Sequence, residues 1–86
     1  MHWLYTAFKD YCNQKGIKLL RDDLKFIERM IKEIPADLHK TIMRDFVDEW
    51  CDGMGRDAMS LLKQNLGRRQ ANIWLRVMTE KLKRRN

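Results

Sequence analysis

The stretch RRQANIWLRVMTEKLKR, residues 68–84, carries the clearest helical pattern in the chain. Its apolar residues recur at spacings of three and four, which places them on one face of an α-helix: Ala71, Trp74, Leu75, Met78 and Leu82. Arg69, Arg76 and Lys83 are seven residues apart and drift by only ~20° per step, so they form a basic stripe on the same helix. The stretch therefore predicts an amphipathic, basic C-terminal helix, followed by a short frayed tail.

Outward from this stretch, the apolar spacing predicts further helices at about 3–15, 23–34 and 36–51, and a short helix at about 57–65. Gly16, Pro35 and the run 53–55 are expected to end helices, and Leu66-Gly67 is expected to form a turn. The expected fold class is all-α, a small compact bundle of four to five helices in a single domain, 1–86. The expected core consists of Leu4, Phe8, Tyr11, Leu24, Ile27, Ile31, Leu38, Ile42, Phe46, Trp50, Trp74, Leu75 and Met78.

Composition restricts the class of protein. The 86 residues are 44% hydrophobic and 35% charged, which is typical of one globular domain. No apolar run approaches the roughly 18 residues that span a bilayer, and the first residues do not resemble a signal peptide, so we expect a cytoplasmic protein and no membrane partner. Cys12 and Cys51 are expected to be reduced.

Charge is distributed unevenly. Residues 56–86 contain nine basic and two acidic residues, a net charge of +7, whereas residues 1–55 contain nine basic and ten acidic residues, a net charge of −1. This excess predicts an anionic partner for the C-terminal part.

The first functional hypothesis is a small binding protein whose C-terminal helix engages nucleic acid, DNA or RNA, mainly through phosphates. The cations expected to bind phosphates are Arg68, Arg69, Arg76, Lys83, Arg84 and Arg85. Gln70 and Asn72 are candidates for amide contacts with base edges.

The alternative is an accessory adaptor or inhibitor, of the kind found in phages and plasmids, that docks on an acidic surface of a larger protein machine. Ile73 and Val77 distinguish the two hypotheses, because they project away from the main apolar face of their helix. We expect a neighbouring helix to cover them; if they are exposed, they suit a protein partner. An acidic stripe on the third predicted helix also allows a homo-oligomer, in which it meets the basic helix of another copy: Asp45, Asp48, Glu49 and Asp52.

Catalysis is not expected. His2 and His39 have no companion at metal-ligand spacing, and neither cysteine has a base near it in sequence. We therefore predict no enzyme, no catalytic residues, no metal site and no cofactor.

Overall fold

The computed structural model describes residues 2–55 and 60–83. They form four α-helices, with a 3-10 turn at Ala36–Leu38 and no strand in the described ranges. The helices are α1 (His2–Gln14), α2 (Arg21–Ile31), α3 (His39–Met54) and α4 (Ser60–Lys83). The predicted all-α class is confirmed.

The start of α4 differs from the prediction. The chain is helical without a break from Ser60 through Lys83, so residues 60–65 belong to this helix and the predicted turn at Leu66-Gly67 is wrong. Gly67 is buried inside α4 and serves close packing instead of a turn. Residues 57–59 of the predicted short helix, and Arg84 at the predicted end of the last helix, lie outside the described residues.

The other boundaries follow recognisable end signals. Gly16 follows α1 with φ 76°, and the N–H of Ile17 donates to the carbonyl of Cys12 at 2.9 Å, as expected for a glycine that ends a helix. α2 ends at Ile31, three residues earlier than predicted. Its N-cap is Leu20, and the carboxylate of Asp23 accepts the Leu20 N–H at 2.9 Å.

α3 and α4 make the most extensive contact between helices, and α2 packs on another side of α4. Two glycines allow the backbones of α3 and α4 to approach closely. A Cβ on Gly67 would lie 2.6 Å from the carbonyl oxygen of Trp50, and one on Gly53 would lie 2.8 Å from the Cα of Gly67. Gly53 is part of α3, so the predicted break there comes two residues later, at Gly55.

The central part of the hydrophobic core consists of residues that the sequence predicted. Seven predicted residues are buried: Phe8, Ile27, Ile31, Ile42, Phe46, Trp50 and Leu75. Five are only partly buried and pack against the core: Tyr11, Leu24, Leu38, Trp74 and Met78. The side chain of Leu4 lies outside the described residues. The core also contains apolar residues that the predicted set omitted, among them Cys12, Ile17, Val47 and Ala71.

Candidate protein-interaction surface on the C-terminal helix

Four large apolar side chains on α4 face solvent. Leu62 is 54% exposed, Leu66 39%, Ile73 55% and Val77 48%. At about 100° per residue, these four positions fall within ~60° of one another around the helix. Together they form a strip, here called the apolar ridge, that extends over ~22 Å at 1.5 Å per residue.

The ridge is exposed because the other sides of α4 are occupied. Ala71, Leu75 and Leu82 point into the core, and α3 and α2 cover two flanks of the helix. The expectation that a neighbouring helix covers Ile73 and Val77 is therefore wrong. Among the described residues, no other helix covers this side of α4.

Exposed cations lie along both sides of the ridge. Arg69 and Arg76 lie on one side, and Lys63 and Lys81 on the other, each about 50–70° around the helix from the centre of the ridge. The guanidinium of Arg76 lies 5.6 Å from the ring centroid of Phe26 in α2, a cation–π contact between the two helices. An acidic residue, Glu80, also lies at the C-terminal end of the ridge, where its carboxylate accepts a hydrogen bond from Lys83 at 3.3 Å.

Arg68, the first of the predicted phosphate-binding cations, is engaged within the protein. Its Nε donates to both carboxylate oxygens of the buried Asp23, at 2.9 and 3.0 Å. Its guanidinium lies 5.1 Å from the ring centroid of Trp50, and its other nitrogens donate to the side chain of Asn65 and the carbonyl of Lys18. Arg68 thus joins α4 to α2, to α3 and to the loop before α2.

Gln70 and Lys83 also have partners within the chain. Gln70 donates to the carboxylates of Glu49 at 2.9 Å and Asp52 at 2.7 Å. Lys83 lies 3.3 Å from Glu80 and 3.5 Å from Glu33, and the hydrogen bond that Lys83 donates to Glu80, together with the charge of Glu33, raises the Lys83 pKa.

Asn72 is half-buried, and its side-chain oxygen accepts no hydrogen bond from any described residue. Arg84 and Arg85 lie outside the described residues. Of the eight residues that the sequence nominated, three therefore lie beside the apolar ridge: Arg69 and Arg76 on one side, and Gln70, which already donates to Glu49 and Asp52, on the other.

The acidic stripe of α3 lies close to α4. Its members line a shallow surface groove together with Trp74: Asp45, Asp48, Glu49 and Asp52. Because Gln70 bridges two of these carboxylates, the groove borders the lysine side of the ridge. Within the described ranges, no group of three or more histidine, cysteine or acidic side chains is arranged to hold a metal ion.

Two members of the ridge were missed by sequence reasoning. Leu62 falls in the short helix predicted at about 57–65, and Leu66 falls in the predicted turn. Once residues 60–83 form one helix, the spacings of four, seven and four between Leu62, Leu66, Ile73 and Val77 identify a second apolar face. That spacing is present in the sequence, but the turn predicted at Leu66-Gly67 divided the four residues between separate segments.

No protein-family model, curated protein or solved structure matches this chain. Among the described residues, none of the helices combines the length and the apolar character that crossing a bilayer requires. The function is therefore inferred from the chain's own residues.

Proposed function

We propose that this chain is a small, non-enzymatic accessory protein that docks on an acidic surface of a larger protein through the apolar ridge and its flanking cations. The observation that carries the proposal is the exposure of four large apolar side chains along one face of α4. Single exposed apolar residues are common, whereas several of them along one helix face, with a polar border, point more strongly to an interaction site.

The residues beside the ridge suit a protein interface. Arginine is enriched at such interfaces, and Arg69 and Arg76 lie where they would form the rim around an apolar centre. The net charge of +7 over residues 56–86 favours an acidic partner and would speed the encounter with it. A cytoplasmic location is part of the proposal, since the two free cysteines suit a reducing compartment.

Nucleic acid is the second candidate partner, and the uneven charge favours it. Arg69, Arg76, Lys63 and Lys81 are exposed on one helix and would bind phosphates with strong dependence on salt. The internal contacts of Arg68, Gln70 and Lys83 weigh against it, because each would have to exchange a carboxylate partner for the ligand. The apolar strip between the cations also suits a protein better than a phosphate backbone.

Affinity capture with the purified, tagged chain tests the proposal. Extract is treated with or without nuclease, and wild-type protein is compared with the variant that carries both Ile73→Ser and Val77→Ser. We expect one partner protein to remain bound after nuclease, to be lost with the double variant, and to rebind when purified.

Leu20→Ser is the matched control, since Leu20 is 57% exposed but lies outside the ridge, at the start of α2. This variant should retain the partner. Loss of the bound material on nuclease treatment, together with salt-sensitive binding of oligonucleotides in an anisotropy titration, would instead establish the nucleic-acid function.

A further inference from the structure

We infer that the partner presents an acidic amphipathic α-helix, which lies lengthwise along the apolar ridge. This inference rests on the proposed function and names the structure that the partner would offer. It follows from the shape of the ridge and from the signs of the charges on its two sides.

The ridge is long and narrow. Leu62, Leu66, Ile73 and Val77 follow a single α-helix over about four turns. A partner helix that crosses α4 at about 20° stays in contact with all four side chains, whereas a steep crossing contacts only one or two of them. The ridge thus fits the apolar face of a second helix aligned with α4.

The flanking charges specify the borders of that partner face. Arg69 and Arg76 would meet one edge of the partner helix, and Lys63 and Lys81 would meet the other. Carboxylates on both edges of an apolar face would therefore pair with cations on both sides, as the charges that flank the apolar seam do in coiled coils. A helix with lysines in those places would bring like charges together.

A second copy of this chain is the competing occupant. If the α4 helices of two copies packed ridge against ridge, the cations of both copies would border one seam, with Glu80 as the acidic residue nearest to it. The acidic groove of α3 lies beyond Gln70 and could offset part of that repulsion. The excess of cations at the seam favours a separate acidic partner.

Two synthetic peptides test the inference against the full chain. Both carry leucines along one helix face over about four turns; one has glutamates on both borders of that face, and the other has lysines there. Fluorescence anisotropy should show saturable binding of the glutamate peptide and at least about tenfold weaker binding of the lysine peptide, a difference of about 1.4 kcal/mol.

Variants of the chain identify the surface that binds. Ile73→Ser with Val77→Ser should weaken binding of the glutamate peptide by about tenfold or more. Lys63→Glu with Lys81→Glu should reverse the preference in part, so that the lysine peptide gains affinity as the glutamate peptide loses it. Leu20→Ser should bind like wild type, and circular dichroism should show that every variant is folded.

The outcomes separate this inference from the proposed function. Equal affinity for the two peptides, or affinity for neither, would overturn the inference that the partner presents an acidic helix. Capture of a ridge-dependent partner after nuclease would still support the proposed function. Release of that partner by nuclease would overturn the proposed function itself. A dimer in analytical ultracentrifugation that Ile73→Ser with Val77→Ser abolishes would assign the ridge to a second copy and would also overturn the inference.

Discussion

At the scale of single residues, Arg68 has the most contacts with the rest of the chain among the predicted binding cations that the structure describes. It reaches a carboxylate from α2, an indole ring from α3 and a main-chain carbonyl from the loop between α1 and α2. The carboxylate, on Asp23, is 4% exposed and has lost most of its contact with water. An ionised group in such a position is tolerated because a cation and hydrogen bonds compensate it.

Asp23→Ala should therefore destabilise the domain by about 3 kcal/mol, because it leaves the Arg68 guanidinium without its carboxylate and removes the acceptor for the Leu20 N–H. Urea unfolding followed by circular dichroism measures this loss. Asp22→Ala is the matched control, since Asp22 is the exposed neighbour in the same helical turn, and it should cost less than about 1 kcal/mol. Equal losses for the two variants would contradict a structural role for the ion pair.

Cys12 gives a prediction that depends on pH. It is 1% exposed; burial, and secondarily the nearby Cys51, raise its pKa to about 12. The thiolate is the reactive form, so Cys12 in the native protein should resist alkylation by iodoacetamide at pH 8 and react once urea unfolds the chain. Rapid labelling of Cys12 at pH 8 without denaturant, detected by mass spectrometry, would show that the thiol is not protected.

The same shift links Cys12 to stability at high pH. The folded state holds the thiol proton more tightly than the unfolded state, whose pKa is near 9.0. The resulting contribution to stability is complete below pH 9 and is lost as the pH rises towards 12. Cys12→Ala should reduce the alkaline loss of stability in this window.

At the scale of helices, the contact between α3 and α4 depends on Gly53 and Gly67. A glycine inside a helix usually costs about 1 kcal/mol relative to alanine. At Gly67, inside α4, the backbone and ring of Trp50 occupy the place where a Cβ would be, so a larger residue does not fit without a shift. The close approach of the two helices therefore accounts for a glycine at position 67, although glycine has a low helix propensity.

Gly67→Ala should destabilise the domain by about 1–3 kcal/mol despite the better helix propensity of alanine, because the two helices must move apart. Gly55→Ala is the matched control. A Cβ on Gly55 would lie 3.5 Å from its nearest neighbour, and its φ of −70° suits alanine, so this variant should be neutral or more stable by up to about 1 kcal/mol. Thermal unfolding compares the two variants. A stabilised Gly67→Ala would contradict the close helix crossing.

At the scale of the whole molecule, cations border the apolar ridge on both sides, and an acidic surface lies beyond one of these borders. On one side are Arg69 and Arg76; on the other, beyond Lys63 and Lys81, lies the acidic groove of α3 with Trp74. The domain is therefore basic overall and bipolar across one face, which favours a partner with a defined orientation. The residues of the ridge contribute little to the core, since each is at least 39% exposed.

Ile73→Ser with Val77→Ser should change the melting temperature by only a few degrees, because serine and these residues have similar helix propensities and the side chains already face solvent. Differential scanning calorimetry measures the shift. Leu75→Ser, in the same helix but 1% exposed, should lower stability by about 2–4 kcal/mol. A large loss for the ridge variant would mean that the ridge belongs to the fold and is not a free surface.

The all-α class and the centre of the core were predictable, because both depend on local periodicity in the sequence. The candidate surface was predictable only in part. The sequence nominated Arg69, Arg76, Ile73 and Val77. It placed Leu62 in a separate short helix and Leu66 in a turn. Residues that look alike in sequence, such as Arg68 and Arg69, differ in the structure because adjacent positions lie about 100° apart around a helix and meet different neighbours.

The sequence by itself determined that this chain forms amphipathic helices and that its excess positive charge lies in the last third, since both properties depend on residues close together in the chain. Only the tertiary structure decided that Arg68 pairs with the buried Asp23, that Gly67 lies within one long helix, and that one face of that helix is exposed. Each of these depends on which distant segment packs against α4, and local periodicity does not specify that choice.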